Sequence, residues 1–221
     1  MAAIVPFVAG DVISGKEFNE KYKEKYVKLI NKENNHNGYK YGPGLNTLDG
    51  PFNPRHVCRK GGLYFCQEDD IGRWIEYGTG TMEYVCDVVI PDDAKVLVME
   101  NKLKTDKFEL TNKRNIWTDE EYCKKAVKED GMYLKYVTNQ TEEICEIAIK
   151  NVIDAFEYVE YKTDHLYKIA VEDNGMLLEF IEDQTEEICE LAVKNNPRAI
   201  DFIKSDYVRI KLAIYSGFGI I

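Results

Sequence analysis

From Tyr122 to Ile203 the side-chain classes recur every 22 residues, and no other feature restricts the fold as strongly. Ala126, Ala148, Ala170 and Ala192 fall in register, with Val127, Ile149, Val171 and Val193 beside them. Thr141, Thr163 and Thr185 make another column. Three apolar columns follow: Leu134, Phe156, Leu178 and Ile200; Tyr136, Tyr158, Phe180 and Phe202; Val137, Val159, Ile181 and Ile203. The string QTEEICEIAIKN at 140–151 returns as QTEEICELAVKN at 184–195. A fifth copy, read as starting near Asp206 with one residue missing, puts Ala213 and Ile214 in the Ala–Val slots and forms a partial cap.

Each period reads as two short helices. Ile144, Cys145, Ala148 and Ile149 share one face at helical spacing. The preceding Thr is placed to accept from orphan N–H groups at the helix start, and Glu142 and Glu143 complement the dipole there. The column of Gly131, Gly175 and Pro197 breaks the chain before a second helix carrying Phe156, Tyr158 and Val159 or their equivalents. Helices this short are marginal alone, so each pair must bury its face against its neighbours, as in a helical solenoid. The expected division is an α+β domain at 1–117 and an α-helical repeat domain at 118–221, four repeats plus the partial fifth.

Charge divides the chain at the same place. Of 39 Asp and Glu and 29 Lys and Arg, 22 acids and 12 bases lie from Thr118 onward, leaving 17 of each before it. An acidic half repels phosphate backbones, which argues against nucleic acid as a partner. No stretch approaches the ~20 apolar residues of a membrane span. The start, MAAIVPFVAG, lacks the basic segment of a signal peptide, so secretion is not expected. Cys123, Cys145 and Cys189 share a repeat position with Tyr167, as small buried hydrophobes in a reduced state. The sequon at Asn139 then reads as a loop before a cap.

The segments ICEIAIKN, FEYVEYKTDHLYKIAV and LLEFIEDQTEEICELAVKN resemble the short helical repeats, of unassigned function, found in giant DNA viruses and some bacteria. That resemblance covers roughly Thr118 to Ile214 and implies a repeat scaffold.

Before Thr118 the pattern changes. A helix is expected from Ser14, with Ser14 as its cap. Strands are expected at YVKLIN, GGLYFC, EYVCDVVIP, AKVLVM and TDKFEL. The Gly-, Pro- and Asn-rich stretch from His36 to His56 reads as a long ordered loop. EDDIGRWIEYG reads as a short helix capped by Asp69 or Asp70, with Ile71, Trp74 and Ile75 inward. This makes a small α+β domain. NGYKYGPGLNTLDGPFNP, CRKGGLYFC and VIPDDAKV together resemble the N-terminal domain of mimivirus-type ankyrin-repeat proteins. The resemblance implies one fixed head on an exchangeable repeat tail that selects the partner.

A second resemblance concerns GGLYFC, IGRWIEYG and EYVCDVVI, which are similar to the core of ADP-ribosyltransferases. It implies a nicotinamide pocket with Tyr77 as the stacking aromatic beside Tyr64 and Trp74. The catalytic glutamate of that family is not identifiable, and the bland alternative makes these rings core aromatics. His56, Cys58, Cys66 and Cys86 lack the Cys-x2-4-Cys pairs of structural zinc, so no metal is expected. His36 and His165 read as isolated and exposed. No catalytic constellation and no cofactor are expected. Gly42-Pro43-Gly44 and Gly78-Thr79-Gly80 read as turns. The leading expectation is a non-enzymatic giant-virus adaptor in the host cytoplasm or virion, its tail holding a protein partner. The alternative is a transferase-like head with the repeats as a targeting arm.

Overall fold

The computed structural model describes residues 12–36, 38–55, 60–76, 80–99 and 102–217. The chain divides into two compact units between Lys125 and Ala126.

The N-terminal unit starts with strand β1 (Val12–Ser14) and helix α1 (Gly15–Lys21). Ser14 caps α1 as expected, its side chain accepting from Glu17 N. Next come β2 (Tyr26–Ile30), the short pair β3 (Asn35–His36) and β4 (Tyr39–Lys40), β5 (Gly44–Thr47) and β6 (Leu63–Gln67). The 3-10 helix η1 (Glu68–Trp74) is followed by β7 (Tyr84–Val89), β8 (Lys95–Val98), β9 (Leu103–Thr105) and β10 (Lys107–Asn115). The eight-stranded sheet has the order β1-β8-β9-β6-β2-β7-β10-β5, and every pairing is antiparallel. With α1, η1 and the helices that follow β10, the protein is α+β.

Rings fill the core of this unit. Phe18 of α1 stacks on Tyr22 at 5.1 Å and meets Tyr26 and Phe65 at 5.0 and 6.1 Å. Burying side chains of this size contributes ~1.5–3 kcal/mol each.

Three expectations for this unit are corrected. The segment from His36 to His56 is not one loop. Among its described residues it holds β4 and β5, and β5 pairs with β10 from Lys107↔Thr47 to Leu110↔Gly44. Its glycines and asparagines had disguised a short edge strand. Neither Asp69 nor Asp70 caps η1. Gln67 precedes it without a side-chain bond, and Asp69 and Asp70 face Lys125 and Arg73 instead. Ile71 and Ile75 point inward, whereas Trp74 is only partly buried.

A bulge in β10 lets one arginine reach across the sheet. The register with β7 slips between Thr111 and Arg114, and Asn112 takes a φ of 48°. Arg114 then grips Asp87 with both nitrogens, at 2.5 and 3.2 Å, and donates to the Tyr122 hydroxyl at 2.8 Å. Tyr122 donates in turn to Glu68, which also holds Lys25, both at 2.5 Å. Tyr122 and Lys125 stand on helix α2 (Glu120–Glu129), so its first turn belongs to the N-terminal unit.

In the second unit α-helices alternate with 3-10 helices. The order is η3 (Gly131–Tyr136), α3 (Glu142–Asn151), η4 (Ile153–Tyr158), α4 (Asp164–Asp173), η5 (Gly175–Phe180), α5 (Glu186–Asn195), η6 (Pro197–Phe202) and α6 (Asp206–Gly217). A further 3-10 turn, η2 (Ile116–Thr118), precedes α2. Thr141, Thr163 and Thr185 accept from the amides of Ile144, Leu166 and Ile188, each at 3.3 Å. Ala126, Ala148, Ala170 and Ala192 are fully buried, so neighbouring helices pack closely on them. Cys145 and Cys189 are buried free thiols there. Burial pushes both up to about 11.

The register expected for the last helix fails. Ser205 caps α6, its hydroxyl accepting from Val208 N at 3.4 Å. Two residues, not one, are therefore missing relative to the preceding copy. Leu212, at 0% exposure, occupies the slot of Ala192, while Ala213 and Ile214 face outward.

Candidate interaction groove

Not every apolar column of the helical unit is core. Leu134, Phe156 and Leu178 are buried, and so are Val137, Val159, Ile181 and Ile203. The intervening column behaves differently: Tyr136, Tyr158 and Phe202 are only partly buried, and Phe180 is 71% exposed. Each ends a 3-10 helix, where three residues per turn carry adjacent side chains to different sides. An α-helical reading of that segment places them inward.

Phe180 stands at a groove of about 540 Å³ lined by Met132, Ile153, Asp154, Phe156, Glu157, Lys162, Asn174, Leu177 and Phe180. Most of this lining comes from η4 and η5. The 3-10 helices pack in pairs, η3 with η4 and η5 with η6, and a glutamine side chain clasps each pair. Gln140 donates to the carbonyls of Leu134 and Tyr158, at 3.4 and 2.9 Å, and accepts from Glu160 N at 3.0 Å. Gln184 does the same with Leu178 O, Phe202 O and Lys204 N, at 3.0, 3.0 and 2.9 Å. Between η4 and η5 the clasping position holds Lys162. An ammonium donates but cannot accept, so the second half of the clasp is not available. Lys162 donates to Val159 O at 2.7 Å and lies 5.2 Å from the Phe156 ring centroid. The groove opens where the amide is missing.

Asparagines reinforce the same alternation. Asn151 accepts from Gly131 N and donates to Lys128 O, and Asn195 accepts from Gly175 N and donates to Glu172 O. The approach is so close that a Cβ on either glycine would lie 2.3 Å from a carbonyl oxygen, of Ala148 or Ala192. At the corresponding position between these clasps stands Ile153, opposite Asp173, whose carboxylate cannot donate.

The groove is acidic. Asp154 and Glu157 line it against the single ammonium of Lys162. The exposed residues just before the aromatic column are Lys135, Glu157, Glu179 and Asp201.

In the N-terminal unit the structure places Tyr64 on β6 and Trp74 at the end of η1, both partly buried. Lys102 Nζ lies 5.6 Å from the Tyr64 ring and 5.3 Å from the Trp74 ring, so the chain's own cation stands near both. Tyr77, His56 and Cys58 lie outside the described residues. Cys66 and Cys86 are buried free thiols, and among the described residues no cluster of His, Cys, Asp and Glu could hold a metal.

His36 is not exposed. Its Nδ1 lies 2.6 Å from Nζ of Lys28, a 3%-exposed lysine in the middle of β2. Burial pushes Lys28 down to about 7, and burial together with the Lys28 charge pushes His36 down to about 3. Lys104 is also fully buried, donating to Arg55 O at 3.0 Å. Neither lysine is marked as buried by its place in the sequence. The letter K in a strand pattern signals an outward residue, and only the neighbours decide otherwise.

A family model described as a domain of unknown function (DUF4116) matches residues 119–162, the stretch holding α2, η3, α3 and η4. The uncharacterized protein R869 of Acanthamoeba polyphaga mimivirus is 37% identical over 81 residues, 36% of this chain and 56% of that protein. R868 of the same virus, which carries the name of an ankyrin repeat protein, is 34% identical over 85 residues, 38% of this chain and 40% of its own length. This chain therefore spans about half or less of these relatives, and it is related to giant-virus proteins. No solved structure matches it.

Proposed function

We propose that the helical unit is a short solenoid of 22-residue, two-helix modules that binds a protein partner, and that the protein is a non-enzymatic adaptor of a giant DNA virus. The observation that carries this reading is Phe180, a large apolar side chain left 71% exposed at the groove while the flanking columns are buried. Set beside the apolar lining of Met132, Ile153, Phe156 and Leu177, that ring is read as part of a contact surface. A relative named for ankyrin repeats supports an interaction role. In this reading residues 1–117 are a fixed head and residues 118–221 the partner-selecting tail. The protein works in the host cytoplasm or the virion.

The ADP-ribosyltransferase reading of the head has less support, because Lys102 already stands near the Tyr64 and Trp74 rings that would receive nicotinamide.

The test is cross-linked capture from infected cells, comparing the full chain with F180D and with K194D on the exposed end of α5. Partners lost with F180D and kept with K194D support the groove. Identical recovery by all three chains refutes it.

A further inference from the structure

We infer that the outer face of α6 packs on the same face of a second copy of this chain, the two helices running antiparallel about a two-fold axis near Ile210. This surface lies outside the groove, and the inference does not depend on the groove's role.

Alpha-helix α6 departs from the other repeat helices at the positions that face outward. Its cap is Ser205 where α5 has Thr185, so Tyr207, Ile210 and Ile214 stand where α5 carries Glu187, Glu190 and Lys194. The same positions hold His165, Lys168 and Glu172 in α4, and α2 and α3 are charged at all three. On those helices the outer face is laced by polar contacts between neighbours. Glu146 of α3 lies 3.1 Å from His165 of α4, and Lys168 of α4 lies 2.6 Å from Glu187 of α5. In α6 the three side chains are instead apolar, and they are 72%, 60% and 50% exposed. At spacings of three and four they form one stripe. Val208 and Leu212 already turn the opposite side of the helix into the core. A helix that is apolar on both sides is suited to being covered on both.

The make-up of the stripe selects what covers it. The charges beside it are turned to other partners, Lys211 to Glu186 of α5 and Arg209 to Asp206 of its own helix. A helix with the pattern of α3, α4 or α5 would press charged groups against Ile210 and strip them of water. Among the described helices α6 alone offers tyrosine and isoleucine at these positions, so the surface that matches the stripe is the stripe itself. Charge points the same way. The chain carries a net charge of −10, and two copies repel wherever their carboxylates face each other. Along the stripe they meet without that cost. In an antiparallel pair Tyr207 of each helix falls beside Ile214 of its mate, on either side of the two Ile210 side chains, and the helix dipoles oppose. Three side chains from each copy bury less than the ~1,200 Å² of a standard interface, so the dimer is weak, with a Kd in the micromolar range.

The test is sedimentation velocity of the full chain from about 1 to about 300 µM, a range that brackets such a Kd. A shift from monomer to dimer is expected, and F180D should show it too. Y207E/I210E/I214K gives α6 the outer face of α5 and should stay monomeric throughout. I210A keeps the helix and should weaken the dimer at least about tenfold, which decides the matter if the triple variant fails to fold. Circular dichroism of the dilute protein should be unchanged by these substitutions, since all three positions face water in a single chain. A monomer at every concentration overturns the proposal and leaves the stripe to a different protein. So does a dimer that survives both I210A and the triple variant, or growth past the dimer into larger species, which only head-to-tail contact produces. If the chain is monomeric yet F180D still loses its captured partner, this inference falls and the groove's role stands.

Discussion

Replacing Lys162 with glutamine should close the groove and stabilise the helical unit. The two existing glutamines show what the new one would do. Its amide nitrogen would reach Phe156 O and Phe180 O, and its oxygen Glu182 N, as Gln140 and Gln184 do with the equivalent groups of the flanking helices. Three neutral hydrogen bonds at ~0.5–1.5 kcal/mol net each give ~3 kcal/mol. Ordering the glutamine costs ~1 kcal/mol, and the bond from Lys162 to Val159 O is lost, so a net gain of ~1 kcal/mol remains. For a unit of this size that raises Tm by ~4–8 °C. The two units can be followed separately, because Trp74 and Trp117 both lie before Lys125 while most of the α-helix lies after it. Helical circular dichroism should therefore move and tryptophan fluorescence should not. The reverse exchange, Gln184→Lys, should lower the helical transition by ~2 kcal/mol, since it removes a clasp between η5 and η6. Lys162→Met separates loss of the charge from gain of the clasp. If K162Q and K162M shift the transition equally, or K162Q not at all, the missing amide does not hold the groove open.

Gly175→Ala forces the Ala192 carbonyl to retreat by at least 0.7 Å, from 2.3 to 3.0 Å. A loss of ~1–3 kcal/mol is expected in the helical urea transition, with faster exchange of the Gly175 amide that Asn195 holds. Lys28 binds its proton more weakly folded, at about 7, than unfolded, at 10.5, so its burial penalty is complete below pH 7 and fades as pH rises to 10.5. Lys28→Met should raise the N-terminal transition at pH 7 by ~3 kcal/mol and flatten its rise with pH above 7. His36 is shifted the same way, from 6.5 to about 3, so folding should weaken as pH falls below about 6.5, and K28M should lessen that loss by removing the neighbouring ammonium. Asp87→Asn breaks the two-pronged grip of Arg114 and should cost ~1–2 kcal/mol by tryptophan fluorescence, since both groups are partly screened by water. In α6, Leu212→Ala should cost ~2–3 kcal/mol and Ala213→Asp less than ~0.5, the reverse of what the uncorrected register requires.

The residues alone dictate structure that lies within one or two turns of chain. Thr141, Thr163 and Thr185 act on amides three residues on, and the alanine columns follow from helical spacing, so both were readable from local period. Ser14 was readable for the same reason. The last helix departs from the expected register because its cap is Ser205, two residues early, and the cap bond and the burial of Leu212 both show the slip. The groove needed the tertiary structure. Gln140, Lys162 and Gln184 stand in plain view in one column, yet what the glutamines do depends on carbonyls 18 residues away, at the end of the following 3-10 helix. The same holds for Lys28, whose buried place is set by strands and rings contributed from elsewhere in the chain. Local propensity acts through neighbours in sequence. A clasp, a slot and a depressed pKa arise from neighbours in space, which the fold alone selects.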